Sequence, residues 1–194
     1  MEEEIKYQSD YLATINLSAE EQKAIDKLNT VRSYKKGTLL LKEGEVSTKA
    51  FYILTGCVRQ YYLKDGEEKT TNFFIEQESI IPATNLANLT PSSHYLECLE
   101  DTQLTYVTGE EEKELYTRFP RFGSMCRETT ELALSQHHQK FAKFIMSSPE
   151  ERYLDVLEHR PDLLNRVPQY QLASYIGITP ESLSRIRKRL VKRK

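Results

Sequence analysis

VPQYQLASYIGITPESLSRIRKRL, residues 167–190, reads as two short amphipathic helices joined by a tight turn. Leu172 and Ile176 place an apolar i, i+4 pair on the first helix. Leu183, Ile186 and Leu190 place an i, i+3, i+7 stripe on the second. Gly177 stands where the first helix must end, and a glycine there tolerates positive φ without a Cβ clash. Thr179 suits the N-cap of the second helix, and Pro180 its first turn, where no backbone N–H is needed. Ala173 is small where the two helices must approach, and apolar Ile178 plugs the joint between them.

Counted from Gln169, small Ala173 comes fifth and Gly177 ninth. Leu172, Ile176, Ile178, Leu183 and Ile186 fill the fourth, eighth, tenth, fifteenth and eighteenth positions. This many-point pattern fits a DNA-binding helix-turn-helix. The plainer reading is a helical hairpin with a solvated basic face. Charge favours the first. From Arg166 onward there are eight Lys and Arg against one acid, Glu181, a local +7 in a chain of net −2, which leaves −9 for the rest. Such asymmetry points to a polyanionic partner for the C-terminal end, and nucleic acid is the one whose affinity phosphate neutralisation dominates. A basic tail alone would be a solvated end or a membrane-surface patch.

The 194 residues allow one large domain or two small ones, and 39% hydrophobic with 29% charged residues suits a soluble chain able to build a core. No apolar run approaches the length of a membrane span. MEEEIKYQSD at the start is acidic and has no basic region followed by an apolar one, so no secretory signal is expected and a cytoplasmic location is. Cys57, Cys98 and Cys126 are far apart and odd in number, which predicts three reduced and mostly buried thiols rather than a metal site or a disulfide framework.

Ser18 and Glu21 form a capping box that opens a first helix, with Ile25 and Leu28 on its apolar face. The preceding Glu- and Tyr-rich segment reads as a short helix or an arm. From Val31 to about Val107 the signals are those of strands: Thr38–Leu41, Phe51–Leu54, Val58–Leu63, Thr70–Ile75 and Leu104–Val107, with Glu43-Gly44-Glu45 and Asp65-Gly66-Glu67 as turns. Short strands at this spacing predict a β-sandwich or jelly roll. Thr108 and Glu111 make a second capping box for a helix to about Tyr116, which Pro120 punctuates. A long helix is expected over Arg121–Met146, about 40 Å at about 1.5 Å per residue. Leu134, His138, Phe141 and Ile145 form a seam along it, suited to a second copy of the chain or to packing on its own domain. Ser148, Pro149 and Glu151 start the next helix, whose Tyr153, Leu154 and Leu157 are expected to pack under the helix-turn-helix, and Pro161 ends it. Ser147-Ser148-Pro149 is the expected boundary and hinge between domains.

A jelly roll, a long helix and a C-terminal helix-turn-helix together resemble the Crp/Fnr family of bacterial transcription regulators. KKGTLLLKEGE (35–45) and FYILTGCVRQYY (51–62) look like the opening strands of that family's cyclic-nucleotide-binding-type domain. The resemblance covers nearly the whole chain. It implies an α+β chain: a jelly-roll sensor over 1–120, a connecting and dimerisation helix over 121–147, and a helix-turn-helix DNA-binding domain, winged in the family, over 148–194. It also implies a homodimer on a palindromic double-stranded operator, with RNA polymerase as a further partner and an effector in the jelly roll that reorients the DNA-binding domains. No cofactor or metal is expected.

The family's sensing residues transfer poorly. Its cAMP-binding members carry a Gly-Glu pair and then an Arg-Ser or Arg-Thr pair. Ile81-Pro82 and Ser92-Ser93 stand in those places here. Without the arginine a buried cyclic phosphate lacks its bidentate partner, so an effector other than cAMP is expected. The pocket candidates are Thr84, Asn85, Ser92 and Ser93, with His137 and His138 on the long helix. No cysteine precedes Cys57, so the N-terminal cluster that holds iron–sulfur in the oxygen-sensing branch is absent. His94, His137, His138 and His159 are candidate haem ligands in principle, each more often a surface or packing histidine.

At the DNA, the resemblance gives Glu181, Ser182 and Arg185 the base edges. Arg185 suits guanine and Glu181 a cytosine amino group. Thr179, Lys188 and Arg189 are the phosphate candidates. Pro180 replaces an arginine that some members use, so a different half-site is expected. Two other readings stand beside this one. An effector-independent DNA-binding or interaction module would have a degenerate jelly roll. A cupin-like metalloenzyme would need clustered histidines, and the strand region has only His94.

Overall fold

The computed structural model describes residues 16–81 and 90–192. The N-terminal arm and the pocket candidates Thr84 and Asn85 therefore lie outside the described residues.

Helix α1 (Ala19–Leu28) opens on the expected capping box. Ser18 N donates to Glu21 Oε2 at 2.8 Å and Glu21 N donates to Ser18 Oγ at 3.3 Å. Eight strands follow: β1 (Arg32–Tyr34), β2 (Leu39–Leu41), β3 (Lys49–Thr55), β4 (Val58–Lys64), β5 (Glu67–Phe74), β6 (Ser79–Ile80), β7 (Tyr95–Cys98) and β8 (Thr102–Thr108). They form two four-stranded antiparallel sheets, β1-β8-β3-β6 and β2-β7-β4-β5, the jelly roll expected. Side chains alternate across each sheet. Phe51, Ile53, Val58, Leu96, Cys98 and Leu104 turn inward and fill the space between the sheets. At the β4–β5 turn Asp65 and Gly66 both have positive φ (55° and 79°), as a two-residue type I′ hairpin requires.

Sequence patterning overlooked the three-residue β1 as well as β6 and β7. β6 has only two residues, too few to show a period. In β7 the inward Leu96 and Cys98 do alternate with Tyr95 and Glu97, but over only four residues.

Helix α2 (Gly109–Arg118) carries its Thr108–Glu111 capping box, and α3 (Pro120–Met146) begins with proline at its first position. The C-terminal unit is helical: α4 (Pro149–His159), α5 (Leu163–Arg166), α6 (Gln169–Tyr175) and α7 (Pro180–Val191). Among the described residues no strand follows β8, and the connector between α4 and α6 holds one turn of helix. On α4 the buried stripe is Tyr153 and Val156 with Leu157 half-buried, whereas Leu154 is 41% exposed and does not pack as expected. An i, i+3, i+4 stripe points Leu154 away from the bundle.

These helices share a second core with the jelly roll. Leu163, Val167, Leu172, Ala173, Ile176 and Leu183 pack together with Phe73 on β5 and with Cys57 and Leu99 in the turns before β4 and after β7. Phe73 and its neighbour Phe74 point to opposite faces of β5, one into each core. The three cysteines are free. Burial pushes the Cys57 thiol up to about 12 and that of Cys98 to about 11. No helix among the described residues is long and apolar enough to cross a membrane.

Gly56 joins β3 to β4 at φ 109°, and a Cβ there would lie 2.8 Å from Thr102 Cα and 2.5 Å from its Oγ1. Gly37 also has positive φ (81°) but open space around it. Gly56→Ala is expected to destabilise the chain by about 3 kcal/mol and Gly37→Ala by about 1, because only the first adds overpacking to backbone strain. Urea unfolding of the two variants checks this, and equal losses would contradict it.

Candidate nucleic-acid interface

Helix α6 ends in a Schellman motif. Gly177 adopts φ 72°, its N–H donates to Ser174 O at 3.0 Å, and Ile178 N donates to Ala173 O at 2.9 Å. A side chain at 177 would also crowd Phe144 and Arg152 at 3.2 Å. The turn is therefore closed by backbone geometry and by what lies against it. Thr179 then caps α7, accepting from Ser182 N at 3.3 Å and donating to Ser182 Oγ at 3.2 Å. Ala173 is fully buried where the helices meet and Ile178 is packed against the same core.

The two faces of α7 separate cleanly. Leu183 and Ile186 are buried and Leu190 half-buried. Glu181, Arg185, Lys188 and Lys192 are exposed at i, i+4, i+7 and i+11. At about 100° per residue this stripe lies roughly opposite the buried one. Its own backbone N–H, the Thr179 hydroxyl, and Arg185 one turn on hold the Glu181 carboxyl below its ordinary range, so it is ionised near neutrality. The stripe thus offers an acceptor at the helix N-terminus and cations after it.

The expected site residues fall into two groups. Glu181, Arg185 and Lys188 lie on the exposed stripe, with half-buried Ser182 beside it. Thr179 is a capping residue. Arg189 is ion-paired to Glu150 on α4, and Arg187 donates to Gln169 Oε1 on α6. An open groove between α4 and α7 is lined by Ser148, Glu150, Ser182, Arg185 and Arg189. Arg166, the first cation of the basic count, faces the jelly roll and grips Glu76 and Glu100. Glu150 was not legible as a partner of α7, because the pair spans 39 residues of sequence.

The pocket candidates that are described lie in different settings. Ser92 is buried in a loop near β7, its Oγ accepting from His94 N at 3.1 Å and donating to His94 O at 2.9 Å. Burial holds the His94 imidazole below its usual pKa. Ser93 is exposed, and His137 and His138 are exposed on α3.

Residues 31–119 match the cyclic nucleotide-binding domain family. The transcriptional activator protein Anr of Pseudomonas protegens is 22% identical, over 89% of this chain and 75% of its own. FixK2 of Bradyrhizobium japonicum shares the fold with TM-score 0.69 and 18% identity, covering 85% of each chain. The c-di-GMP-responsive global regulator CLP of Xanthomonas campestris does so with TM-score 0.65 and 17% identity, over 90% of this chain and 92% of its own. A sandwich of that domain type, the long helix behind it and the capped helix pair at its end give this chain a fold shared with FixK2 and CLP.

Proposed function

We propose that the chain is a homodimeric, sequence-specific DNA-binding regulator that reads base edges with Glu181, Ser182 and Arg185 on α7. The observation that carries this reading is the exposed stripe of α7, which is held rigidly on a buried one. Lys188 serves as a phosphate contact, and Thr179 and Arg189 flank the same surface. In this division of labour residues 1–120 are the sensor, 121–147 the connector and dimer helix, and 148–194 the DNA-reading head.

Dimerisation is supported by α3. Beyond Phe122 none of its side chains is buried, and Leu134, Phe141 and Ile145 are 55%, 60% and 65% exposed. A helix of 27 residues with an unpartnered apolar seam satisfies that seam against a second copy of itself. A small effector other than cAMP acts through the jelly roll in this reading, with RNA polymerase as the downstream partner. Ser92, at one of the positions where the arginine would be needed, is buried and bonded to His94.

Selection from a random duplex library by the purified protein is expected to return a two-fold symmetric site with half-sites about one helical turn apart. Failure to enrich any symmetric site would remove the reading. On the selected site, Arg185→Ala is expected to cost about 1–3 kcal/mol and to relax selection at one base pair, whereas Lys188→Ala weakens all sequences alike. Equal losses of the Arg185 variant on specific and random DNA would refute its assignment. Phe141→Glu with Ile145→Glu is expected to halve the mass in sedimentation while far-UV circular dichroism stays native. A dimer that survives both changes would place the interface elsewhere. In thermal-shift titration cAMP is expected to give no stabilisation at low micromolar concentration, and a clear response there would overturn the exclusion.

A further inference from the structure

The reading head is tied to the sensor by an arginine that the charge count alone would have assigned to DNA. Arg166 closes α5. Its Nη1 and Nη2 donate to the two carboxylate oxygens of Glu76 at 2.8 Å each, and its Nε donates to Glu100 Oε1 at 3.2 Å. Glu76 Oε1 accepts in turn from Gly56 N at 2.8 Å. Two turns of the jelly roll, after β5 and β7, therefore converge on one guanidinium, and the turn after β3 braces the first of them through Gly56. A fork-to-fork pair fixes direction as well as distance, which a lysine in its place would not do. The hydrogen bonds from Arg166, together with the one from Gly56, hold the Glu76 carboxyl ionised against the cost of its burial.

Two further contacts bear on the same orientation. Ser174 on α6 accepts from Thr70 N at 2.9 Å and donates to Glu68 O at 3.4 Å, so the first helix of the motif occupies the free edge of β5. Arg160, at the end of α4, donates to Phe73 O at 3.0 Å. Between these polar contacts Phe73 packs edge-on against Tyr175, ring centroids 5.2 Å apart. The docking also has weak points. Among the described residues Arg160 Nε and Gln171 Oε1 are buried without a hydrogen-bond partner, a cost to the folded arrangement. Arg166 thus supplies direction to a contact whose other parts are not fully satisfied.

We infer that Arg166 is a positioning residue for DNA recognition: clamped to Glu76 and Glu100, it fixes the angle of each reading head on its sensor and so the spacing of half-sites that the dimer accepts. This rests on the dimeric reading proposed above. In a dimer joined through α3, the separation of the two α7 helices depends on how firmly each head is held to its own sheet. Opening the clamp frees that angle without touching a base-reading side chain.

The experiment uses the full-length chain and its selected operator, with the centre of the site lengthened or shortened by two base pairs. Each change turns one half-site by about 70° around the duplex. Arg166→Gln is compared with the Glu76→Gln/Glu100→Gln double variant, which leaves the arginine in place. The parent is expected to lose about tenfold or more in affinity on the altered spacings, and both variants less than about threefold. Arg166→Lys, which keeps the charge and loses the fork, is expected to behave like Arg166→Gln. Should the double variant bind the normal operator more tightly with its spacing preference intact, Arg166 is a phosphate contact masked by acids and the inference falls. It falls equally if every variant discriminates spacing as the parent does. A parent that selects no symmetric site refutes the dimeric reading instead, a result separable from both.

Discussion

The β4–β5 side of the jelly roll cannot be left bare on its outer face. Phe73 is fully buried there, as is Cys57, and Leu99 is nearly so, yet none of the three belongs to the core between the sheets. Antiparallel sheets commonly leave one face to solvent. This one carries apolar residues on both, and the C-terminal helices cover the second. The same burial is what gives those helices a place to stand. At seven residues α6 is well below the length at which an isolated helix holds together in water, and Leu172 and Ala173 anchor it in the shared core. The helix-turn-helix is thus locally encoded and held in place from outside.

Near the same sheet lies a buried cation. Arg59 on β4 is 1% exposed; its Nε donates to Thr70 Oγ1 at 3.0 Å, it pairs with Glu97 and Glu68, and it stacks on the Tyr61 ring at 4.1 Å. Such a pair adds little net stability over an apolar substitute, but it penalises any register that would separate its members. β4, β5 and β7 each contribute one side to this cluster. It therefore pins the register of the three strands whose outer face receives the head.

The electrostatic asymmetry of the chain also changes meaning once folded. Eight cations follow residue 165, but Arg166 is bound to the jelly roll, Arg189 to Glu150 and Arg187 to Gln169. The stripe of α7 that lies opposite its buried face is narrower than the count implies: Arg185, Lys188 and Lys192, in line with Glu181. Such a surface suits the duplex-reading role proposed above.

Wherever the determining contacts lie within a few residues of one another, the sequence is enough. The capping boxes at Ser18, Thr108 and Ser148 and the cap at Thr179 join groups three residues apart, and the turn at Gly177 needs only one residue free to adopt positive φ. The strands with clear β-branched and aromatic runs were legible for the same reason, whereas the short β6 and β7 depend on partners across the sheet. Leu154 shows the limit within a helix, since hydrophobicity says that a residue can be buried and only the neighbouring elements say which face is. Tertiary structure alone decided where Arg166 points. Its partner Glu76 is 90 residues away, and nothing local separates a guanidinium meant for phosphate from one meant for a carboxylate. By itself the sequence determined the fold type and the capped helix pair that ends in α7, because both follow from local periodicity and capping. The docking of that pair on the jelly roll was decided only by the folded chain, because it is built from charges and surfaces that meet only when distant segments are brought together.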